Sequence, residues 1–123
     1  PYLTVKENIQ AAYLVNGINN KQDRADELIE QFNLKERATY YPSELSTGER
    51  RRTALARALF NKPSIILADE PTGNLDEKNS IIVLQHLKDF SQTHGSVLLV
   101  THDNWAASFA NRIFRMANGK LNN

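Results

Sequence analysis

The sequence has no cysteine and only five glycines, four prolines, one methionine and one tryptophan in 123 residues. Without cysteine there is no disulfide framework and no thiolate-ligated metal, and the composition is compatible with a reducing compartment. An excess of charge is missing too. Fifteen Lys and Arg stand against fourteen Asp and Glu, so charge gives no case for nucleic acid or for an acidic partner. No apolar run approaches the ~20 residues of a membrane span, and nothing repeats or drifts into low complexity. The expectation is one modest, soluble, cytoplasmic domain. The glycines also fail to build a phosphate loop. A Gly-x-x-x-x-Gly-Lys-Ser/Thr run is required, but only Gly119 precedes a lysine, and Phe114 stands where the earlier glycine belongs.

What is present predicts an α/β order. Thr4-x-x-Glu7 has capping-box spacing and opens a helix over 5–16, with Gly17 as its stop and a polar loop over 17–21. Ala25, Leu28, Ile29 and Phe32 fall on one stripe of a helix over 24–32. A short turn over 34–38 and an irregular Tyr40-Tyr41-Pro42 follow; the tyrosines read as packing residues. Ser46-x-x-Glu49 is a second capping box. Its helix runs to about 60 with Ala54, Leu55, Ala58 and Leu59 inward, and Asn61-Lys62-Pro63 stops it. Residues 65–68 and 97–100 are continuous apolar runs, as expected of strands covered on both faces. Between them a helix over 77–93 carries Ile81, Leu84, Leu87 and Phe90, and Gly95 ends it. Asn104 caps a short helix through Ala110. Asn118-Gly119 turns a closing hairpin. Strand, helix, strand with covered strands means a parallel sheet.

Three places carry chemistry. Ser46 and Gly48 sit at a helix mouth, where unsatisfied N–H groups and the dipole favour an anion. Ser46 can equally be a plain N-cap. Asp69 and Glu70 end a buried strand as adjacent carboxylates. Pairing with Arg or Lys would satisfy them, and so would a metal ion with an activated water. His102 follows the second strand, at the crevice where open α/β sheets bind ligands. Asp76 can cap the helix after it. His86 and His94 read as surface residues, Arg50-Arg51-Arg52 as a solvated face or partner contact, and Trp105 as core or a covered edge.

Together these stretches resemble the ATP-binding subunits of ABC transporters. Leu45-Ser46-Thr47-Gly48-Glu49 resembles the signature motif, with Thr47 where the family usually has its first Gly. Ile65-Ile66-Leu67-Ala68-Asp69-Glu70 resembles the Walker B strand, Asn74-Leu75-Asp76 the D-loop, and Val100-Thr101-His102-Asp103 the switch-histidine segment. The Pro-Thr-Gly-Asn-Leu-Asp wording is most similar to the subgroup that energises lipoprotein release and macrolide export.

The resemblance implies a partial P-loop NTPase fold, with a parallel sheet fragment and a helical subdomain. Residues 1–45, continuing into the signature helix to about 60, would be the helical subdomain, and 46–123 the C-terminal part of the catalytic subdomain. It implies ATP and Mg²⁺, with Asp69 holding the metal through water, Glu70 as general base and His102 on the γ-phosphate. Ser46, Gly48 and Glu49 would contact nucleotide held by the opposite subunit, and Asp76 would shape the dimer interface. A second ATP-binding subunit and a membrane permease are the implied partners, on the inner face of the membrane. The Walker A loop, the Q-loop glutamine and the adenine-stacking aromatic are not among these residues, so a piece of a larger domain, inactive alone, is expected. The resemblance also puts the Walker A strand between the two strands seen here. Their rearrangement or self-association is the corresponding expectation. The other readings are an ABC-type ATPase of DNA repair or chromosome structure, and a non-catalytic interaction module docking through 1–45.

Overall fold

The structure, a computed structural model, describes residues 1–13 and 21–122. The first helix, α1 (Val5–Gln10), starts as its capping box requires. The Thr4 hydroxyl accepts from the Glu7 N–H at 3.3 Å and the Glu7 carboxylate accepts from the Thr4 N–H at 2.8 Å. Residues 14–16, Gly17 and most of the expected loop lie outside the described residues. Helix α2 (Lys21–Gln31) buries Ala25, Leu28 and Ile29 of its predicted stripe, and Phe32, just past its last turn, is buried with them. It ends at Asn33, whose φ of 52° lets the Leu34 N–H bond back to the Ile29 carbonyl at 2.8 Å, a Schellman closure. Single 3₁₀ turns at Lys35–Arg37 and Pro42–Glu44 lead to α3 (Thr47–Leu59).

The inner face of α3 differs from the predicted one. Ala54 and Ala58 are exposed and Leu55 is half-buried, whereas Gly48, Thr53, Ala56 and Leu59 are buried. The prediction placed Ala54, Leu55, Ala58 and Leu59 inward, and of these only Leu59 is buried. The helix instead turns some of its smallest residues inward.

Strand β1 (Ile65–Asp69) pairs in parallel with β2 (Ser96–Val100), Ile65 opposite Ser96 through Asp69 opposite Val100. The crossover between them is α4 (Glu77–Thr93), as predicted. No third strand separates β1 from β2, which corrects the expected order. Gly95 is fixed by close approach: a Cβ there would lie 2.3 Å from the Ser64 carbonyl oxygen, which accepts from the Ser96 N–H at 2.9 Å.

The expectation that both faces of these strands are covered is also corrected. Ile66 joins the core with Val83, Leu87 and Phe90 of α4. On the other face Ile65, Leu67, Leu98 and Val100 are exposed, Leu67 to 75%. The short helix α5 (Asn104–Ala107) is capped by Asp103, not Asn104; the Asp103 carboxylate accepts from the Trp105 N–H at 2.8 Å. Trp105 lies edge-on to Phe109 and is exposed rather than in the core. The tyrosines are exposed as well, with the Arg37 guanidinium over the Tyr40 ring. His86 is half-buried against Phe32, ring centroids 4.1 Å apart, and burial lowers its pKa. It is not the surface residue expected. The hairpin of β3 (Arg115–Ala117) and β4 (Lys120–Asn122) turns at Asn118 and Gly119, both at positive φ as a two-residue I′ turn requires.

The buried cluster draws on α1, α2, α3, the inner side of α4 and Ile66. The ends of β1 and β2, with the turn after β1, stand at its margin and carry the acidic pair and His102.

Candidate functional site

Parallel pairing sets Asp69 opposite Val100, so the segments leaving both strands emerge side by side. Glu70 continues the ladder by donating its N–H to the Val100 carbonyl at 2.9 Å, then turns off it with φ of 43°. A glutamate in the left-handed region is an uncommon, mildly strained placement, and such outliers gather at functional sites. Three bonds hold its side chain. Oε1 accepts from the His102 N–H at 2.9 Å and meets His102 Nδ1 at 2.7 Å, and Oε2 accepts from the Thr101 hydroxyl at 3.2 Å.

The two partners shift each other. The bond from His102 is the chief cause holding the Glu70 carboxyl below its ordinary value, and the bond to Glu70 raises His102 above its own. His102 is 88% exposed, so its other ring nitrogen faces outward, free of any hydrogen bond among the described residues. Asp69 is exposed, and its carboxylate has no hydrogen bond or ion pair among the described residues. The two adjacent carboxylates thus have opposite fates, one clamped and one free.

At the start of α3 the capping box is complete. The Ser46 hydroxyl accepts from the Glu49 N–H at 3.2 Å and Glu49 Oε2 accepts from the Ser46 N–H at 2.8 Å. The remaining Glu49 oxygen accepts from Arg37 Nε at 2.9 Å. The Ser46 N–H is the chief cause of the lowered Glu49 pKa. Both oxygens of Glu49 are therefore engaged within the chain, and both bonds brace the start of α3. The Ser46 hydroxyl keeps its own hydrogen to donate.

Thr47 is the first residue of α3 and has no positive φ, so it fits this position without strain. Its hydroxyl accepts from Arg50 at 3.2 Å. The sequence gives Gly48 a phosphate reason; the structure adds a steric one, because a Cβ at Gly48 would lie 2.5 Å from Asn79 Oδ1. Asp76 caps α4, accepting from the Asn79 N–H at 2.9 Å and its amide at 2.7 Å, and these bonds lower its pKa.

The structure thus brings Glu70 and His102 together, and brings Gly48 and Asp76 onto one shared side chain. No hydrogen bond or ion pair among the described residues joins Ser46, Gly48 or Glu49 to Asp69, Glu70 or His102. Sequence reasoning missed Thr101, Arg37 and Asn79. Asn79 was the most accessible of these, since Asp-x-x-Asn at a helix start places it under the cap. Arg37 is twelve residues from its partner and gives no local signal.

Among the described residues no cluster of three or more His, Asp or Glu could cage a metal. Mg²⁺ needs less, binding through one or two carboxylates with water and substrate phosphates completing its shell. A free carboxylate at a strand end fits that demand.

The sequence profile of ABC transporters matches residues 1–73. The chain is 43% identical over 121 residues to the lipoprotein-releasing system ATP-binding protein LolD of Treponema pallidum, covering 96% of this chain and 54% of that protein. It is 41% identical over 121 residues to the macrolide export ATP-binding/permease protein MacB of Wolinella succinogenes, covering 97% of this chain and 19% of that one. Among solved structures, a dimeric post-hydrolysis ATP-binding cassette bound to ADP and Pi superposes with a TM-score of 0.88 at 35% identity, covering 100% of this chain and 56% of that chain. The present chain thus spans about half of the LolD protein and of the cassette. Agreement over its whole length means that direct β1–β2 pairing is the arrangement of a cassette and not a rearrangement. Motif order, strand pairing and these likenesses agree: the chain belongs to the ABC transporter ATP-binding family and has a partial P-loop NTPase fold.

Proposed function

We propose that this chain is part of an ATP-binding, ATP-hydrolysing subunit that powers an ABC membrane transporter. One observation carries the reading. Glu70 and His102 meet at 2.7 Å where two paired parallel strands end, with the unpartnered carboxylate of Asp69 beside them. A carboxylate for a hydrated metal, a carboxylate for water and an imidazole for a phosphate are the parts that phosphoryl transfer to water uses.

In this reading Glu70 accepts a proton from the attacking water and His102 donates to the γ-phosphate. While His102 lies on Glu70, the carboxyl is held low and is a weak base. When His102 turns to a phosphate, Glu70 is released and its basicity rises. Asp69 would hold Mg²⁺ through water; the ion would neutralise phosphate charge. Ser46 and the N–H groups of Thr47 and Gly48, which have no acceptor within their helix, would meet nucleotide carried by a second copy of the subunit. Asp76 would stand at that dimer interface. Glu49 would act through Ser46.

Residues 1–45, continuing into the signature helix α3 to about 60, form the proposed helical subdomain, and 46–123 the C-terminal part of the catalytic subdomain. The proposed setting is a homodimer at the cytoplasmic face of a membrane permease. No helix among the described residues is long and apolar enough to cross a membrane. The likeness to LolD and MacB supports a transport role over DNA repair or simple docking.

The test uses the complete subunit. Glu70→Gln is expected to lower ATP turnover by about 10²–10⁴-fold while ATP still binds. Turnover unchanged by Glu70→Gln would overturn the reading. Ser46→Arg is expected to block ATP-driven dimerisation and spare nucleotide binding to the monomer; equal loss of both would put Ser46 in cis.

A further inference from the structure

Asn79 belongs to none of the motifs above, yet α3 and α4 meet on its side chain. It is the third residue of α4, and its amide Nδ2 donates to Asp76 Oδ2 at 2.7 Å while its backbone N–H donates to Asp76 Oδ1 at 2.9 Å. Its Oδ1 accepts from Arg52 of α3 at 2.6 Å. Chemistry fixes the amide orientation: a guanidinium only donates and an ionised carboxylate only accepts, so a flipped amide would lose both side-chain bonds. Both bonds involve charged groups, the stronger kind.

Gly48 closes the arrangement from the third side. A Cβ there would fall 2.5 Å from Asn79 Oδ1 and 2.6 Å from Cγ. Gly48 and Arg52 are one turn apart on α3, so two consecutive turns of that helix rest on one amide. From Asp76 the chain runs back through a tight turn, with Leu75 donating to Thr72 and Gly73 donating to Glu70, each at 3.1 Å. The Arg52 Nε is buried without a partner, so loss of Asn79 would leave that guanidinium poorly held.

We propose that Asn79 is a positioning residue that fixes the start of α3, with Ser46 and Gly48, against the turn that carries Asp76 and leads back to Glu70. The inference rests on the ATPase reading and deepens it. Asn79 touches no reacting atom; it acts through Gly48, Arg52 and Asp76. Its removal changes the spacing between a helix start and a turn that must both face bound nucleotide in the dimer.

The experiment is steady-state ATP turnover by the complete subunit. Asn79→Ala is expected to lower kcat about ten- to a hundredfold, the scale of a small misplacement in a reacting assembly, with KM for ATP unchanged and the protein still fully folded at the assay temperature. Asn79→Asp keeps the volume but sets a carboxylate against Asp76, and it is expected to lower kcat as well. An unchanged kcat in Asn79→Ala or Asn79→Asp overturns the inference. A fall in melting temperature that accounts for the whole loss of kcat would make Asn79 merely structural and also overturn it. Glu70→Gln separates the two levels. If turnover depends on Glu70 but not on Asn79, only the positioning role falls; if it does not depend on Glu70, the ATPase reading falls first.

Discussion

The helical half and the sheet half of this chain bury their apolar residues to different degrees. In residues 1–60, Val5, Ile9, Ala25, Leu28, Phe32, Leu34 and Phe60 have no exposed surface. Their helices close on one another around a shared cluster. In residues 64–122 the strands contribute one buried residue, Ile66, while Ile65, Leu67, Leu98 and Val100 form an exposed row and the hairpin strands are exposed throughout. An amphipathic helix hides its apolar stripe against one neighbouring layer. A strand that is apolar on both sides needs two layers, and here α4 supplies one. The row on the other side is larger and more contiguous than the scattered apolar residues of an ordinary surface.

That contrast can be broken at several points, beginning with the largest effect. Phe32→Ala is expected to destabilise the chain by about 3–5 kcal/mol, as for a large ring lost from a closed core, measured by denaturant unfolding. A small loss would mean the helical cluster is not the closed unit described. Gly95→Ala is expected to destabilise by about 1–3 kcal/mol, because its Cβ would strike the Ser64 backbone and force β1 and β2 apart. A neutral result would place the strand join elsewhere. Ser46→Ala removes an N-cap and should destabilise by about 1 kcal/mol; no change would separate the capping box from the stability of α3.

Leu67→Ala sharpens the comparison most. In this 123-residue chain it should change stability by no more than about 0.5 kcal/mol, as for an exposed site. A loss as large as that of Phe32→Ala would show the row to be covered after all.

The smallest effect is pH dependence. Glu70 has its pKa lowered in the fold, so its contribution is present above its ordinary 4.5 and is lost as pH falls through the lowered value. His102 has its pKa raised, so its contribution is full below its ordinary 6.5 and is lost as pH rises through the raised value. The pair is therefore fully formed between about 4.5 and 6.5 and weakens on either side. Its influence on stability is slight because His102 is largely in solvent. A ring-proton titration checks it: the His102 pKa should lie above its ordinary value and return toward it in Glu70→Gln. An identical titration in both proteins would mean that the ion pair does not form.

The local elements were legible because their signals are local. Thr4-x-x-Glu7 and Ser46-x-x-Glu49 each name a helix start within four residues, and both boxes form. Asn118-Gly119 names its turn in two. The α4 span and the two strand runs follow from periodicity and breakers. The inner face of α3 was not legible, because it is chosen by what lies across from it. Gly48 faces Asn79, thirty-one residues later, and no pattern within α3 records that. The half-burial of His86 against Phe32 was hidden for the same reason.

By itself, the sequence determined where α1, α3 and α4 start, that two apolar runs are strands, and which residue types stand at their ends, because caps, turns and hydrophobic periods are written in neighbouring residues. It also determined the family, through four short motifs in order. The tertiary structure alone decided that β1 and β2 are direct partners, that only one of their faces is covered, that Glu70 is clamped to His102 while Asp69 stays free, and that Asn79 joins two helices. Each of these depends on groups far apart in sequence, and only packing determines which of them come within a hydrogen bond of one another.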